Sequence, residues 1–156
     1  MDALTGEIHQ TDPSDPRVAT LIEAHLTLMR ASSPACSVHA MDAAGLAEAS
    51  ARFFAIFDRE TAMAMGALKR LGGSAGEVKS MHVRQPFRGR GLADRMLAHL
   101  IDVARADGMA RVFLETGSQP AFAPARAFYM RHGFAECAPF EGYGPDPNSV
   151  FMARAV

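Results

Sequence analysis

The 156-residue sequence has few cysteines, almost no net charge and no long apolar run. Its two cysteines, Cys36 and Cys137, lack metal-site spacing and form no CxxC pair, so we expect free thiols and no bound metal. The formal net charge of −1 argues against nucleic-acid binding, which would need a basic face. No apolar stretch reaches the roughly 18 residues of a membrane-spanning helix. The polar N-terminus shows no signal peptide, which leaves a cytoplasmic location as the default.

The composition is that of one globular domain. Apolar residues make up 49% and charged residues 21% of the chain, ordinary values for a folded protein. A chain of this length buries a substantial core but is too short for two domains. We therefore expect one domain over residues 1–156.

Hydrophobic periodicity and turn residues predict the order β-α-α-β-β-β-α-β-α-β-β, a mixed α/β (α+β) domain with six to seven strands in a central sheet flanked by helices. Segment 61–71 is also compatible with a helix by propensity, but its place in a hairpin favours a strand. The predicted strands are 5–12, 51–58, 61–71, 77–83, 110–116, 134–137 and 149–156. The predicted helices are 16–30, 43–50, 92–107 and 124–132. The third carries an apolar stripe of Leu92, Met96, Leu97, Leu100, Ile101 and Ala104.

A cationic corner joins strand 77–83 to this third helix. Four arginines fall within residues 84–95. A helix N-terminus has unpaired N–H groups and a partial positive charge, which suit an anion. Gly89 and Gly91 let the backbone approach a ligand closely, and charged donors come from Arg84, Arg88 and Arg90. The segment therefore predicts a pyrophosphate site.

Three phosphate-binding patterns compete for this corner. The P-loop string GxxxxGK[ST] does not occur. The dinucleotide pattern G-x-G-x-x-G fails because its third glycine position holds Asp94, a carboxylate where close helix–strand packing is needed. The pattern [Arg/Gln]-x-x-Gly-x-[Gly/Ala] is met by Arg88, Gly91 and Ala93.

This pattern, followed on the next helix by "FYMRHGF" (128–134), resembles the GCN5-related N-acetyltransferase (GNAT) superfamily over residues 75–137. The resemblance implies a GNAT-like domain that binds acetyl-coenzyme A (acetyl-CoA). The backbone of Met81, His82 and Val83 would lie along the pantetheine arm and polarise the thioester carbonyl. The residues implied to hold the pyrophosphate are Arg88, Gly89, Arg90, Gly91, Leu92 and Ala93.

The resemblance also implies catalytic residues for acetyl transfer to an amine. Tyr129 holds a position at which many family members place a tyrosine near the coenzyme sulfur, where it would act as the general acid. The alternative is that Tyr129 only packs its helix on the sheet. Glu77 opens the strand before the loop and is the candidate general base, with His82, Glu115 or a water as alternatives. One departure is Phe122, where many members have an asparagine that contacts the coenzyme.

The acceptor side is less defined by the sequence. The resemblance places substrate selection in residues 20–45, and His39 is the expected substrate contact, although this stretch is also compatible with an ordinary surface loop. A small-molecule amine or a peptide N-terminus is the expected acceptor. Two other interpretations remain open: a non-catalytic coenzyme A-binding sensor, and an unrelated domain with a surface anion site. The apolar terminal strand 149–156 is compatible with a homodimer.

Overall fold

The computed structural model describes residues 6–34 and 41–156, so Cys36 and His39 lie outside the described residues. Within that range, seven strands form one mixed sheet flanked by four helices. The strands are β1 (Glu7–Gln10), β2 (Arg52–Asp58), β3 (Thr61–Leu71), β4 (Ala75–Val83), β5 (Arg111–Gly117), β6 (Ala135–Cys137) and β7 (Ser149–Ala155). The helices are α1 (Pro16–Ser32), α2 (Ala43–Glu48), α3 (Leu92–Ala106) and α4 (Ala123–Arg131). The predicted order of elements is confirmed.

Helix starts follow from local sequence. The Asp15 carboxylate accepts a hydrogen bond from the Arg17 backbone N–H at 2.9 Å, and proline occupies the first turn of α1. The Asp42 carboxylate caps α2 in the same way through the Gly45 N–H, at 2.8 Å. Helix α3 is different, because its N-cap is Gly91, which has no side chain to accept a hydrogen bond. The first N–H groups of α3 are therefore left without a side-chain cap.

The sheet order is β1-β2-β3-β4-β5-β7-β6, and β4 and β5 are its parallel pair. Helix α3 connects them, as the predicted βαβ unit requires. Pairing between these strands covers only Ala75–Glu77 against Arg111–Phe113, although β4 continues to Val83 and β5 to Gly117. The two strands therefore separate beyond Glu77 and open a cleft within the sheet.

Two apolar clusters cover the faces of the sheet. One lies under α3 and α4, and the other lies under α1 and α2. All six residues of the predicted α3 stripe are buried in the first cluster. Among the described residues, no helix is long and apolar enough to cross a membrane.

Strand β4 departs from the regular alternation that the sequence predicts. The register between β3 and β4 shifts, so that Ser80 and Met81 together face the single residue Gly66. Ser80 has a φ of 57°, in the left-handed region. A Cβ at Gly66 would lie 2.8 Å from Met96 Cγ, so only glycine fits against α3 here. The strand contains a β-bulge at the level of the cleft.

Candidate active site

A cavity of about 130 Å³ lies in the cleft where β4 and β5 separate. Strand β4 forms one wall and β5 the other, while α1 and α4 contribute the remaining sides. The lining residues are His25, Met29, Ser33, Glu77, Val78, Lys79, Ser80, Met81, Glu115, Thr116, Gly117, Phe122, Ala125 and Tyr129. The cavity thus combines an apolar lining with two carboxylates, a lysine and a phenol.

The arginine–glycine corner follows the end of β4. Gly89 and Gly91 have φ values of 77° and 79°, which glycine adopts without strain. A Cβ at either glycine would meet nothing within 4 Å, so the backbone faces open space. Together with the uncapped N-terminus of α3, this exposed backbone fits a pyrophosphate group.

The arginines of the corner differ in their contacts. Arg84 donates from Nε to the Ala62 carbonyl oxygen at 2.9 Å and so ties the end of β4 to β3. Arg88 is exposed and donates from Nε to the Val83 carbonyl oxygen at 2.9 Å. Arg90 is also exposed. Arg84 and Arg88 thus both contact backbone carbonyl oxygens, but Arg84 is half-buried, whereas Arg88 and Arg90 are exposed beside the glycines.

The other predicted coenzyme residues continue along the same path. Met81 lines the cavity, and Val83 ends β4. Leu92 is the first residue of α3 and is buried, whereas Ala93 is half-buried. Strand β4, the arginine–glycine corner and the start of α3 thus follow one another along the chain, beginning at the cavity.

Tyr129 lies on α4 and lines the cavity with only 8% of its surface exposed. Its ring packs edge-on against Phe128 and Phe134, at centroid distances of 5.2 and 5.7 Å. Burial raises the pKa of Tyr129 above its ordinary value, so the phenol is protonated at neutral pH. Tyr129 therefore packs the helix and also lines the cavity as a protonated phenol.

Glu77 is 3% exposed and is held by two partners. Its Oε2 accepts a hydrogen bond from the Lys79 ammonium at 3.0 Å and another from the Tyr143 hydroxyl at 2.5 Å. The Lys79 ammonium also donates to the Tyr143 oxygen at 3.0 Å. Both donors therefore occupy the same carboxylate oxygen, Oε2, and tie Glu77 to Lys79 and Tyr143.

Glu115 is the second carboxylate of the cavity and lies on β5. Burial raises the pKa of Glu115 to about 7. The Ser149 hydroxyl donates to Oε2 at 2.9 Å, and this hydrogen bond acts in the opposite direction by lowering the pKa. A carboxylate that titrates near neutral pH has the property expected of a general base.

A histidine pair connects the cavity to β4. The Nδ1 atoms of His25 and His82 are 3.3 Å apart, and the rings meet edge-on. Burial lowers the pKa of both side chains to about 4, so both rings are neutral at pH 7. His25, on α1, lines the cavity, whereas His82, on β4, is not among the lining residues and contacts His25. The sequence drew attention only to His82.

Phe122 occupies the position where many family members have asparagine. It is 8% exposed and covers one side of the cavity. A Cβ at Gly117 would collide with the Phe122 ring, so glycine at the end of β5 accommodates the aromatic side chain. Arg126 holds the turn between β5 and Phe122 by donating to the Gly117 and Gln119 carbonyl oxygens, at 2.6 and 3.1 Å.

The structure brings Glu77, Glu115, Met81 and Tyr129 to one cavity and places the glycine corner beyond it. Tyr143, Ser149 and His25 also contribute, although no sequence pattern indicated them. In the part of the chain that the structure describes, no group of three or more His, Cys, Asp or Glu side chains could hold a metal ion.

The arrangement is a cavity between two separating parallel strands, with an uncapped helix N-terminus beyond the end of one strand. It is typical of proteins that bind a long cofactor with its reactive end in the cleft and its phosphates at the helix N-terminus. The model of the acetyltransferase (GNAT) family matches residues 18–134. The chain therefore belongs to the GNAT family of acetyl-CoA-dependent N-acetyltransferases. The resemblance inferred from the sequence is confirmed.

Individual relatives agree with this assignment over the whole chain. YsnE of Bacillus subtilis, an uncharacterized N-acetyltransferase, is 38% identical over 156 residues, which cover 100% of this chain and 97% of YsnE. An IAA acetyltransferase of Azospirillum brasilense is 36% identical over 96% of this chain and 97% of that protein. A Klebsiella pneumoniae protein described as an acyl-CoA N-acyltransferase has a similar solved structure, with a TM-score of 0.79, 27% identity and 99% of both chains covered.

Proposed function

We propose that this enzyme transfers the acetyl group of acetyl-CoA directly to the amine of a small molecule or a peptide N-terminus. The observation that carries the proposal is the pairing, in one cavity, of a protonated tyrosine with a carboxylate that titrates near neutral pH. Transfer from a thioester to an amine needs both a proton acceptor and a proton donor.

The arginine–glycine corner would hold the coenzyme. The backbone N–H groups at the start of α3 would bind the pyrophosphate, and Gly89 and Gly91 keep that backbone accessible. The exposed guanidinium groups of Arg88 and Arg90 would add charge-assisted hydrogen bonds. The backbone of Met81–Val83, at the cavity end of the same strand, would polarise the thioester carbonyl.

Acetyl-CoA supplies an activated acyl group with a thiol as the leaving group. The new N–C bond forms as the C–S bond breaks. Glu115 accepts one proton from the attacking amine, and Tyr129 donates one proton to the departing sulfur. Proton exchange with solvent then returns Glu115 to the carboxylate and Tyr129 to the phenol, so the cycle balances.

We assign the base to Glu115 rather than to Glu77 because their surroundings differ. Lys79 and Tyr143 both donate to Oε2 of Glu77, so that oxygen already has two hydrogen-bond partners before an amine arrives. Glu115 receives a hydroxyl hydrogen bond from Ser149 and has a pKa of about 7. In this proposal, Glu77 keeps Lys79 and Tyr143 in place at the edge of the cavity.

The acceptor would enter beside α1, where His25, Met29 and Ser33 line the cavity. An acceptor that arrives as an ammonium ion first loses one proton to solvent, so that the attack begins from the neutral amine and Glu115 accepts the second proton. A contact from His39 stays a prediction.

The test is thiol release from acetyl-CoA over a panel of amines, peptide N-termini and IAA, for the wild type and for Tyr129→Phe. We expect one acceptor class to be turned over. Tyr129→Phe should lower kcat about a hundredfold or more without weakening acetyl-CoA binding, since it removes the proton donor alone. The comparison variant is Tyr143→Phe, which removes the other tyrosine hydroxyl of the chain. That hydroxyl hydrogen-bonds Glu77 but does not line the cavity, so Tyr143→Phe should lower kcat far less than Tyr129→Phe.

Three results would contradict the proposal or a part of it. If acetyl-CoA does not raise the melting temperature of the wild type, the chain lacks the expected donor site. If acetyl-CoA binds but no acceptor is turned over, the chain is better described as a coenzyme A-binding sensor. Equal turnover by Tyr129→Phe and the wild type would remove Tyr129 from the acid role.

A further inference from the structure

Ser80 has an unusual backbone conformation for its place in the fold. Four non-glycine residues of the described chain have a positive φ. Three of them, Ser50, Arg59 and Ser74, lie in turns, where this conformation is common. Ser80, with a φ of 57°, lies within strand β4. Strain of this kind inside a strand persists only where the surrounding structure holds it, and it is found at functional sites.

The bulge holds Ser80 at the mouth of the cleft. Ser80 and Met81 face Gly66 on one side, while on the other side β4 has already lost its pairing with β5. The last paired residue of β4 is Glu77. Ser80 therefore lies where a ligand can approach β4 between the separated strands, and it lines the cavity.

The Ser80 hydroxyl group has no partner within the described part of the chain. Its oxygen exposes less than 1 Å² to solvent and makes no hydrogen bond. Buried hydroxyl groups are nearly always paired, so an unpaired one in a cavity wall needs an explanation. A serine hydroxyl changes partner by rotation about χ1, and a ligand oxygen against β4 could reach it without backbone movement.

We infer that the Ser80 hydroxyl donates a hydrogen bond to the acyl carbonyl oxygen of the donor, as a second donor beside the backbone of β4. This inference rests on the proposed function. A carbonyl oxygen accepts hydrogen bonds and carries the negative charge that develops when the amine attacks. Two donors fixed by the strand, in a site that excludes water, stabilise that charge more than one.

The other polar groups of the cavity are less suited to this position. Lys79 is engaged by Glu77, and the Tyr129 hydroxyl is needed at the sulfur in the proposed reaction. Glu115 lies on the opposite strand, where it would receive the amine proton. Ser80 is thus the cavity hydroxyl that lies on the same strand as the proposed backbone donors.

Isotope-edited infrared spectroscopy of bound acetyl-CoA, labelled with ¹³C at the acyl carbon, tests the inference without any acceptor. A hydrogen bond to the carbonyl lowers its stretching frequency. We expect a lower frequency on the wild type than in solution, and a partial return toward the solution value in Ser80→Ala and Ser80→Gly. Ser80→Gly is included because glycine tolerates a φ of 57° and keeps the bulge.

Calorimetric titration supplies a second readout. Loss of one hydrogen bond should weaken acetyl-CoA binding about threefold to tenfold in both variants. Binding of coenzyme A, which has no acyl carbonyl at this position, should not change. The matched control is Ser74→Ala, because Ser74 also has a positive φ but lies in a turn outside the cavity lining.

Three outcomes overturn the inference. The first is an unchanged carbonyl frequency in both Ser80 variants. The second is a frequency that changes in Ser80→Ala but not in Ser80→Gly, which would assign the effect to backbone strain. The third is equal weakening of acetyl-CoA and coenzyme A. If the wild type binds neither ligand, the proposed function fails as well, and that result is distinct from the other three.

Discussion

The arginine–glycine corner and the cavity are built in different ways. The corner consists of consecutive residues, 84–93, and depends on backbone conformation at Gly89 and Gly91. The cavity gathers side chains from α1, β4, β5 and α4, supported by Tyr143 and Ser149 from beyond β6. The first is a local property of the chain, whereas the second exists only after the sheet has formed. The two regions should therefore respond separately to mutation.

The largest expected effect is in the cavity, for Glu115→Gln. This change removes the proposed base with little change in shape. At pH 8, where the Glu115 carboxylate of the wild type is mostly ionised, kcat should fall about a hundredfold to a thousandfold. Steady-state kinetics with a saturating acceptor measure this fall in kcat.

The control for Glu115→Gln is Glu136→Gln, an exposed glutamate on β6. It makes the same chemical change outside the cavity and should leave kcat within about twofold of the wild-type value. If Glu115→Gln retained wild-type kcat at pH 8, Glu77 would again become the candidate base.

A smaller effect, on stability, is expected for Gly91→Ala in the arginine–glycine corner. Alanine resists a φ of 79°, which should cost about 1–2 kcal/mol of unfolding free energy. Chemical denaturation measures this cost. Gly144→Ala is the control, because a Cβ there also meets open space but the backbone lies outside the left-handed region. Equal stability of the two variants would show that Gly91 does not need its conformation.

The smallest effect is expected for Ser149→Ala. In the proposed mechanism activity requires ionised Glu115, so activity should be lost as the pH falls through the Glu115 pKa of about 7. The Ser149 hydrogen bond lowers that pKa, and its removal should raise it. The acid limb of the pH–rate profile should therefore move to higher pH. If the acid limb moves to lower pH or stays in place, Ser149 does not lower the pKa of the group that controls activity.

The contrast between a local corner and a cavity built from distant segments also explains which features could be predicted from the sequence. The apolar stripe of α3 repeats at helical spacing, and every residue of it is buried as predicted. The arginine–glycine corner could be predicted as an anion site because its glycines and arginines are adjacent in sequence, and that role stays a prediction. Glu77 and Tyr129 were also singled out, and both line the cavity.

The missed features depend on distant parts of the chain. The hydrogen bond between Tyr143 and Glu77 joins residues 66 positions apart, and no local pattern encodes it. The bulge at Ser80 depends on the register with Gly66 in another strand. The raised pKa of Glu115 results from burial by elements that come together only on folding. For this reason, the donor was easier to infer than the base.

The central claim is that the arginine–glycine corner and the cavity respond separately to mutation. Its most direct test is a calorimetric titration of coenzyme A into the wild type, Gly91→Ala and Glu115→Gln. We expect one binding site per chain in the wild type. Affinity should fall severalfold in Gly91→Ala, because that change disturbs the backbone of the anion site, and should stay at the wild-type value in Glu115→Gln. Equal weakening in both variants, or unchanged affinity in Gly91→Ala, would contradict a donor site built on the backbone of the glycine corner.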